Sequence, residues 1–374
     1  MTNVLIVGCG LSGSTMANLI AKNFKNIKID IIEKRNHIGG NVFDYIEEET
    51  NTRVSKYGAN LFHTNDENIW NYLQEFGDWI RWEHKVLAFV DGKYVPVPVN
   101  STTINMLENE NICNEDEAKE WFKNNTENIQ NPTNSEEVCL SKVGNKLYNK
   151  LFKYYTFKQW NKFPDELDPL VLNRIPVRIN FDDRYFNDKF QALPRDGYTK
   201  IVENMLKFDN INVMLNTSWE DFSKYKDKYD LIIFTGPIDH YFKNNNLPKL
   251  EYRSIDFIKE IKNCEGYYQL NSVINYPEIN IEYTRTVEYK HFLHQKSSKT
   301  ILIHEKTTDD GEPYYPVPND KNIKLYLEYK ELANKEQKVH FLGRLASYKY
   351  FNMDQAIKNS IDYFMDIIKP VLEK

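Results

Sequence analysis

The sequence predicts an α/β fold, and three observations carry that prediction. A short apolar run, Val4-Leu5-Ile6-Val7, leads through Gly8-Cys9-Gly10-Leu11-Ser12-Gly13 into helical spacing at Met16, Leu19, Ile20 and Phe24. A second apolar run, Ile27 to Ile32, then ends at Glu33. Further on, a helix signal over Thr199 to Lys207 precedes two more short strands, Ile211 to Leu215 and Tyr229 to Thr235, the latter closed by Gly236-Pro237. Apolar runs bounded by turn residues read as buried strands, and apolar residues three and four apart read as one face of a helix.

Strand, glycine loop, helix and strand-end carboxylate, in this order and spacing, form the dinucleotide fingerprint of a Rossmann-like domain. Gly8, Gly10 and Gly13 allow a tight turn and close backbone approach to a pyrophosphate, which would lie on the amide-rich start of the helix at Ser12. Glu33, twenty residues after Gly13, is spaced to accept from a ribose hydroxyl. The continuation Lys34 to Asn41 contains the pair Gly39-Gly40. Two glycines just past the ribose carboxylate offer the further close approach that a long cofactor needs, which favours FAD over NAD.

Composition narrows the function. The 54 acidic residues outnumber the 48 basic ones, for a formal net charge of -6, which argues against nucleic-acid binding by the whole surface. An anionic ligand would need local Arg or Lys clusters. No apolar run approaches the ~18 residues of a membrane span, and the start of the chain lacks the pattern of an export leader. Cys9, Cys113, Cys139 and Cys264 are scattered, without metal-ligand spacing. The reading is therefore a cytoplasmic chain with reduced thiols, no disulfide and no metal.

The rest of the chain divides into three units. Residues 1–78, 196–245 and 320–374 are assigned to the cofactor domain, closed by the joint Gly343-Arg344-Leu345-Ala346 and a helix from Met353 to Ile368. Residues 99–172 show 3.6-residue periodicity, with Val143, Leu147, Leu151 and Tyr154 on one face, and are assigned to an inserted helical domain. Residues 79–98, 173–195 and 246–319 are assigned to a largely antiparallel sheet, including a hairpin about Asp91-Gly92 and strand-like sequence from Arg174 to Phe190.

Three clusters outside the fingerprint carry possible chemistry. The first runs from Phe152 through Tyr155, Thr156 and Trp160 to Arg174 and Arg178, with Tyr185 beyond. Aromatic faces suit a nucleobase and guanidinium forks suit phosphate oxygens, so this reads as a nucleotide-diphosphate clamp on a loop able to close. The second is Tyr283-Thr284-Arg285 with Glu305, and the third is Glu312 to Val317 with Arg344 and Tyr348-Lys349-Tyr350. His63 follows Phe62 at a strand-to-helix junction, where it faces a cofactor or serves as a hydrogen-bonded structural residue. No nucleophile elbow, P-loop or HExxH motif is present, so the difficult chemistry would belong to the flavin.

Taken together, Gly8-x-Gly10-x-x-Gly13, Glu33-Lys34-Arg35-x-His37-Ile38-Gly39-Gly40-Asn41, Phe62-His63-Thr64, Tyr155-Thr156-x-Lys158-Gln159-Trp160, Arg174-Ile175-Pro176-Val177-Arg178, Thr235-Gly236-Pro237-Ile238-Asp239, Tyr283-Thr284-Arg285, Glu312-Pro313-Tyr314-Tyr315-Pro316 and Gly343-Arg344-Leu345-Ala346 resemble the bacterial UDP-galactopyranose mutase family. The likeness runs from residue 4 to past 350. It implies a redox-neutral isomerase that needs reduced FAD, in which the flavin N5 displaces UDP from the sugar and the resulting adduct reopens and recloses as a furanose. It implies a homodimer as well.

By the same resemblance, Arg174 and Arg285 hold the pyrophosphate, and Phe152 and Tyr155 flank the uracil. Trp160 sits by the sugar on a mobile loop, and Tyr185, Tyr315 and Tyr350 bind phosphate oxygens. Thr156 and Asn271 complete the substrate site. Gly8, Gly10, Ser12, Gly13, Glu33, Lys34, Asn41, Gly236, Arg344 and Met353 hold FAD, with His63 beside it. Two positions depart from the family pattern. Asn60 stands in place of a histidine and Asn352 in place of an aspartate, which leaves UDP-galactose, UDP-N-acetylgalactosamine and dTDP-fucose open as the substrate.

Overall fold

The structure is a computed structural model and describes residues 2–373. Five parallel strands form its first sheet, in the order Ile211–Met214, Lys28–Ile32, Asn3–Val7, Leu231–Phe234 and Val339–Phe341. Val4, Leu5 and Ile6 are all fully buried, because helices and loops cover both faces of a parallel sheet and its central strands are apolar throughout. Val4 and Ile6 pack with Met16 and Ile20 of the fingerprint helix Leu11–Asn23 and with Phe364 and Ile368 near the C-terminus. Leu5 and Val7 face the other way, toward Ile232, Phe234 and Trp219.

The second sheet has seven strands, in the order Tyr315–Pro316, Tyr252–Asn263, Lys299–Thr308, Arg285–Glu288, Val273–Asn275, Val86–Val90 and Lys93–Val97. Every pairing is antiparallel except that of Val273–Asn275 with Val86–Val90. The hairpin turns at Asp91 and Gly92, both with positive φ, which matches the twist of the flanking strands. A small third sheet sets Phe190–Pro194 between Phe62–Thr64 and Trp79–Arg81. His63 is thereby held on a strand paired with the far part of the chain.

Between the hairpin and the strand Phe190–Pro194 the chain forms the helices Ser101–Glu108, Glu115–Asn125, Ser135–Leu147, Lys153–Trp160 and Leu170–Asn173. Asn100, Asn114 and Asn134 cap the first three by accepting from first-turn amides, which satisfies donors that a helix start leaves free. Ile104, Trp121, Val143, Leu147 and Leu151 form their shared core.

Two local expectations change. The segment 174–189 is an irregular loop, joined to the sheets by one bridge between Lys85 and Arg184. Its cause is Arg178, whose guanidinium donates to the carbonyls of Asp182, Arg184 and Phe186 and to the Asn187 side chain, curling the chain around one cation. The final helix is regular only over Met353–Tyr363 and widens into a π turn at Phe364–Ile368.

Gly144 has φ +76, and a Cβ there would lie 1.9 Å from the Asn125 carbonyl oxygen. Gly144→Ala should therefore cost at least ~2 kcal/mol in urea unfolding. Gly92→Ala, with φ +71 and nothing within 4 Å of the added carbon, should cost only about 1 kcal/mol. Equal losses would contradict this reading of the Asn125–Gly144 contact.

Candidate active site

The site begins at the C-terminal end of the parallel sheet. Gly8 has φ +103, and a Cβ on it would lie 2.2 Å from Thr235 Oγ1; one on Gly13 would lie 2.0 Å from the Gly8 carbonyl. No side chain caps the helix that starts after Gly10, and its first turn carries no acid. Its amides are thus left for an anion. Glu33 is 6% exposed, and its carboxylate is oriented by two backbone donors, the Cys9 amide at 2.9 Å and the Arg35 amide at 3.0 Å. Gly40 packs against the glycine loop so closely that a Cβ would lie 2.8 Å from Gly10 Cα. A glycine cradle, an uncapped helix start and an oriented carboxylate fit a dinucleotide.

A cavity of about 670 Å³ runs from this cradle into the seven-stranded sheet. At its far end three guanidiniums converge. Arg285 donates from Nε to Glu305 on the neighbouring strand at 2.7 Å. The Arg174 guanidinium lies 4.2 Å from the centre of the Tyr350 ring, and that of Arg344 lies 5.2 Å from the same ring. Tyr350 stacks on Tyr315 with ring centres 5.3 Å apart. Arg344 is aimed by the Phe351 carbonyl, to which Nε and Nη2 donate at 3.1 and 2.5 Å.

These contacts set the protonation states. Enclosure would raise the Tyr350 phenol, but Arg174, Arg344 and Arg285 outweigh it and hold Tyr350 below its ordinary value. Burial acts to lower Arg285, but Glu305 and the phenols of Tyr155 and Tyr315 hold it well above the usual range. Burial raises Tyr155 and Tyr185, so both remain neutral donors.

The cavity wall brings together His63, Tyr155, Arg174, Tyr185, Arg285, Tyr315 and Tyr350, and on the cradle side Gly8, Gly10, Ser12, Glu33, Lys34, Asn41, Gly236, Arg344 and Met353. Gly13 lies behind this wall and shapes the turn. Phe152, Thr156 and Trp160 line instead an adjoining recess of about 50 Å³ that shares Tyr155, Arg174 and Tyr185 with the main cavity. Trp160 is the last residue of the helix Lys153–Trp160, is 3% exposed, and turns toward Tyr315 and Tyr350. The expectation of a loop there is corrected, because the indole is fixed in the helical core. Asn271 is also corrected: its amide donates to the Lys85 carbonyl at 2.7 Å and lines neither space, and Asn275 holds the wall position.

Besides Asn275, two residues at the site are not singled out by the sequence. Asp188 accepts from or pairs with His63 Nδ1 at 2.9 Å while Phe186 stacks on the imidazole; only the pairing of distant segments shows it. His84 lines the cavity at 2% exposure, and its Nδ1 has no partner among the described residues. Its only sequence signal was a histidine just before an alternating hairpin.

The fold and site define an α/β protein with a dinucleotide-binding cradle and a cavity lined by guanidiniums and aromatic rings. The family described as UDP-galactopyranose mutase matches residues 150–350, and an NAD(P)-binding Rossmann-like domain matches residues 6–76. The chain is 35% identical to a probable UDP-galactopyranose mutase of Klebsiella pneumoniae, over 96% of this chain and 93% of that one. It is likewise 35% identical to a dTDP-fucopyranose mutase of Escherichia coli, over 97% of each. A crystal structure of reduced UDP-galactopyranose mutase superposes with a TM-score of 0.77 at 15% identity, over 99% of this chain and 94% of that one. The chain belongs to the UDP-galactopyranose mutase family and is an isomerase of that class. No helix of the described residues is long and apolar enough to cross a membrane.

Burial pushes the His84 imidazole from 6.5 down to about 3, with Arg285 and His63 acting in the same direction. Between those values the unfolded chain binds the extra proton, so stability is full above the unfolded value and falls as pH drops, by about 1.4 kcal/mol per pH unit. His84→Gln should flatten this acid limb between about pH 6 and 4 in denaturant titrations. An unchanged limb would show that His84 is not held neutral.

Proposed function

We propose that this protein interconverts UDP-galactopyranose and UDP-galactofuranose without net redox change, using FAD in the glycine cradle and active when the flavin is reduced. The observation that carries the reading is the convergence of Arg174, Arg285 and Arg344 on Tyr315 and Tyr350 at the end of that cradle. When bound, reduced flavin supplies the nucleophile that exchanges with the diphosphate at the anomeric carbon.

The chain's own residues then have distinct tasks. Arg174 and Arg285 stabilise the charge that develops on the departing diphosphate, where cations already in position act most strongly. Tyr185, Tyr315 and Tyr350 offer hydroxyls to phosphate oxygens. Tyr155 and Phe152 wall the uracil, and Trp160 and Thr156 back the recess beside them. Keeping the severed diphosphate in place lets it return to the same sugar. His63, oriented by Asp188, faces the cofactor. Within the three units assigned from sequence, the parallel sheet holds FAD and the other two close over the substrate. The working form is a cytoplasmic homodimer.

A second sugar is favoured by a specific observation. The two curated relatives are equally similar to this chain, and Asn60, on the cavity wall, spends its amide on the carbonyls of Asn41 and Gly58. The test is therefore product analysis with UDP-galactose, UDP-N-acetylgalactosamine and dTDP-fucose, each with and without dithionite. Furanose formed from UDP-galactose only by reduced protein supports the reading, and furanose from dTDP-fucose alone moves the substrate. Turnover coupled to oxygen or a pyridine nucleotide defeats it in favour of an oxidoreductase. Arg285→Ala should cut turnover by about 10²- to 10³-fold and leave the bound flavin spectrum intact; loss of flavin would assign Arg285 a structural role.

A further inference from the structure

One of the cations that fasten the helix carrying Tyr155 to the seven-stranded sheet is Lys158. Lys158 Nζ lies 2.5 Å from the Tyr276 carbonyl oxygen, 2.9 Å from that of Glu278, and 2.8 Å from those of Ile281 and Tyr283. The segment that supplies these carbonyls connects the strand Val273–Asn275 to the strand Arg285–Glu288. Its base is closed by Tyr276 N to Thr284 O, and four of its carbonyls turn inward to the ammonium. An ammonium has three donors, so four carbonyls around it amount to an ion cage.

The other side of the same turn is also secured. Thr307 and Arg253 donate to the Lys158 carbonyl, and Arg253 donates to that of Gln159 at 3.0 Å. Arg253 pairs with Asp309, which also accepts from Asn161 at 2.8 Å. On the cage side the facing acid is Glu278. Tyr155 precedes Lys158 by three residues, nearly one turn of helix, and Arg285 follows Tyr283 by two. The ammonium therefore joins the two walls between which the cavity runs.

Resting on the function proposed above, we infer that Lys158 is a positioning residue: its caged ammonium sets the gap between Tyr155 and Arg285 in which the nucleotide diphosphate binds. Its removal takes a shared donor from four part-buried carbonyls, of which that of Glu278 keeps only the Ile281 amide at 3.4 Å, and the segment 276–284 loses its centre. Arginine is not equivalent, because a planar fork cannot converge on four carbonyls around a point.

The test measures UDP affinity by calorimetry and amide hydrogen exchange over 276–284 in the full-length protein. Lys158→Met should weaken UDP about 10- to 100-fold and speed exchange in that segment, and Lys158→Arg, which keeps the charge, should not restore either. In Lys158→Ala, methylammonium should restore part of both and tetramethylammonium neither, since only the first has N–H groups to donate. Wild-type affinity and exchange in the Met variant, or equal action of the two cations, would overturn the inference. Wild-type protein that binds no UDP would defeat the proposed function instead, and the exchange of 276–284 would still decide on the cage.

Discussion

Three guanidiniums meet at Tyr315 and Tyr350, and only one of them has a carboxylate partner. Glu305 answers Arg285, whereas Arg174 and Arg344 make no ion pair among the described residues. Like charges that converge on one pair of rings repel. The structure holds them in place by other means. Aromatic faces attract the cations, and the Phe351 carbonyl fixes Arg344. On the function proposed above, a diphosphate brings the countercharge that the protein leaves to Arg174 and Arg344.

That constraint explains why the chain folds as it does. Arg285 comes from the antiparallel sheet, Arg174 from the loop after Leu170–Asn173, and Arg344 from the strand-to-helix joint of the parallel sheet. No local element contains two of them. The box exists only when the three regions dock, and the small sheet around Phe190–Pro194, the Arg178 loop and the Lys158 cage are the links that dock them. The same docking puts the cationic end of the cavity beyond the cradle formed about Glu33 and Ser12.

What the sequence revealed was what local physics governs. The apolar strand, the glycine turn with φ +103 at Gly8 and the carboxylate of Glu33 follow each other within a few dozen residues, and each is required by backbone geometry. The Asp91-Gly92 hairpin and the asparagine caps are of the same kind. Less legible was anything set by distant partners. The run 174–189 reads as strand by composition, yet one guanidinium with four nearby acceptors curls it. Asn271 and Asn275 are equivalent to the eye, and what separates them is that Asn275 belongs to the paired strand Val273–Asn275 whereas Asn271 lies before it and spends its amide on the Lys85 carbonyl. His84 is an ordinary histidine until burial removes its solvent. The aromatic and arginine clusters were visible as composition, and their convergence is a tertiary fact that the resemblance to a family anticipated and periodicity could not.

If the arginine box is made for the charge of a diphosphate, that charge dominates binding. Comparing UDP with uridine in binding calorimetry isolates that charge while keeping the base. Affinity for UDP should exceed that for uridine by at least about 100-fold, the advantage shrinking when Arg174 or Arg285 is replaced by alanine. Uridine bound as tightly as UDP would mean that the guanidiniums serve the fold and not the ligand.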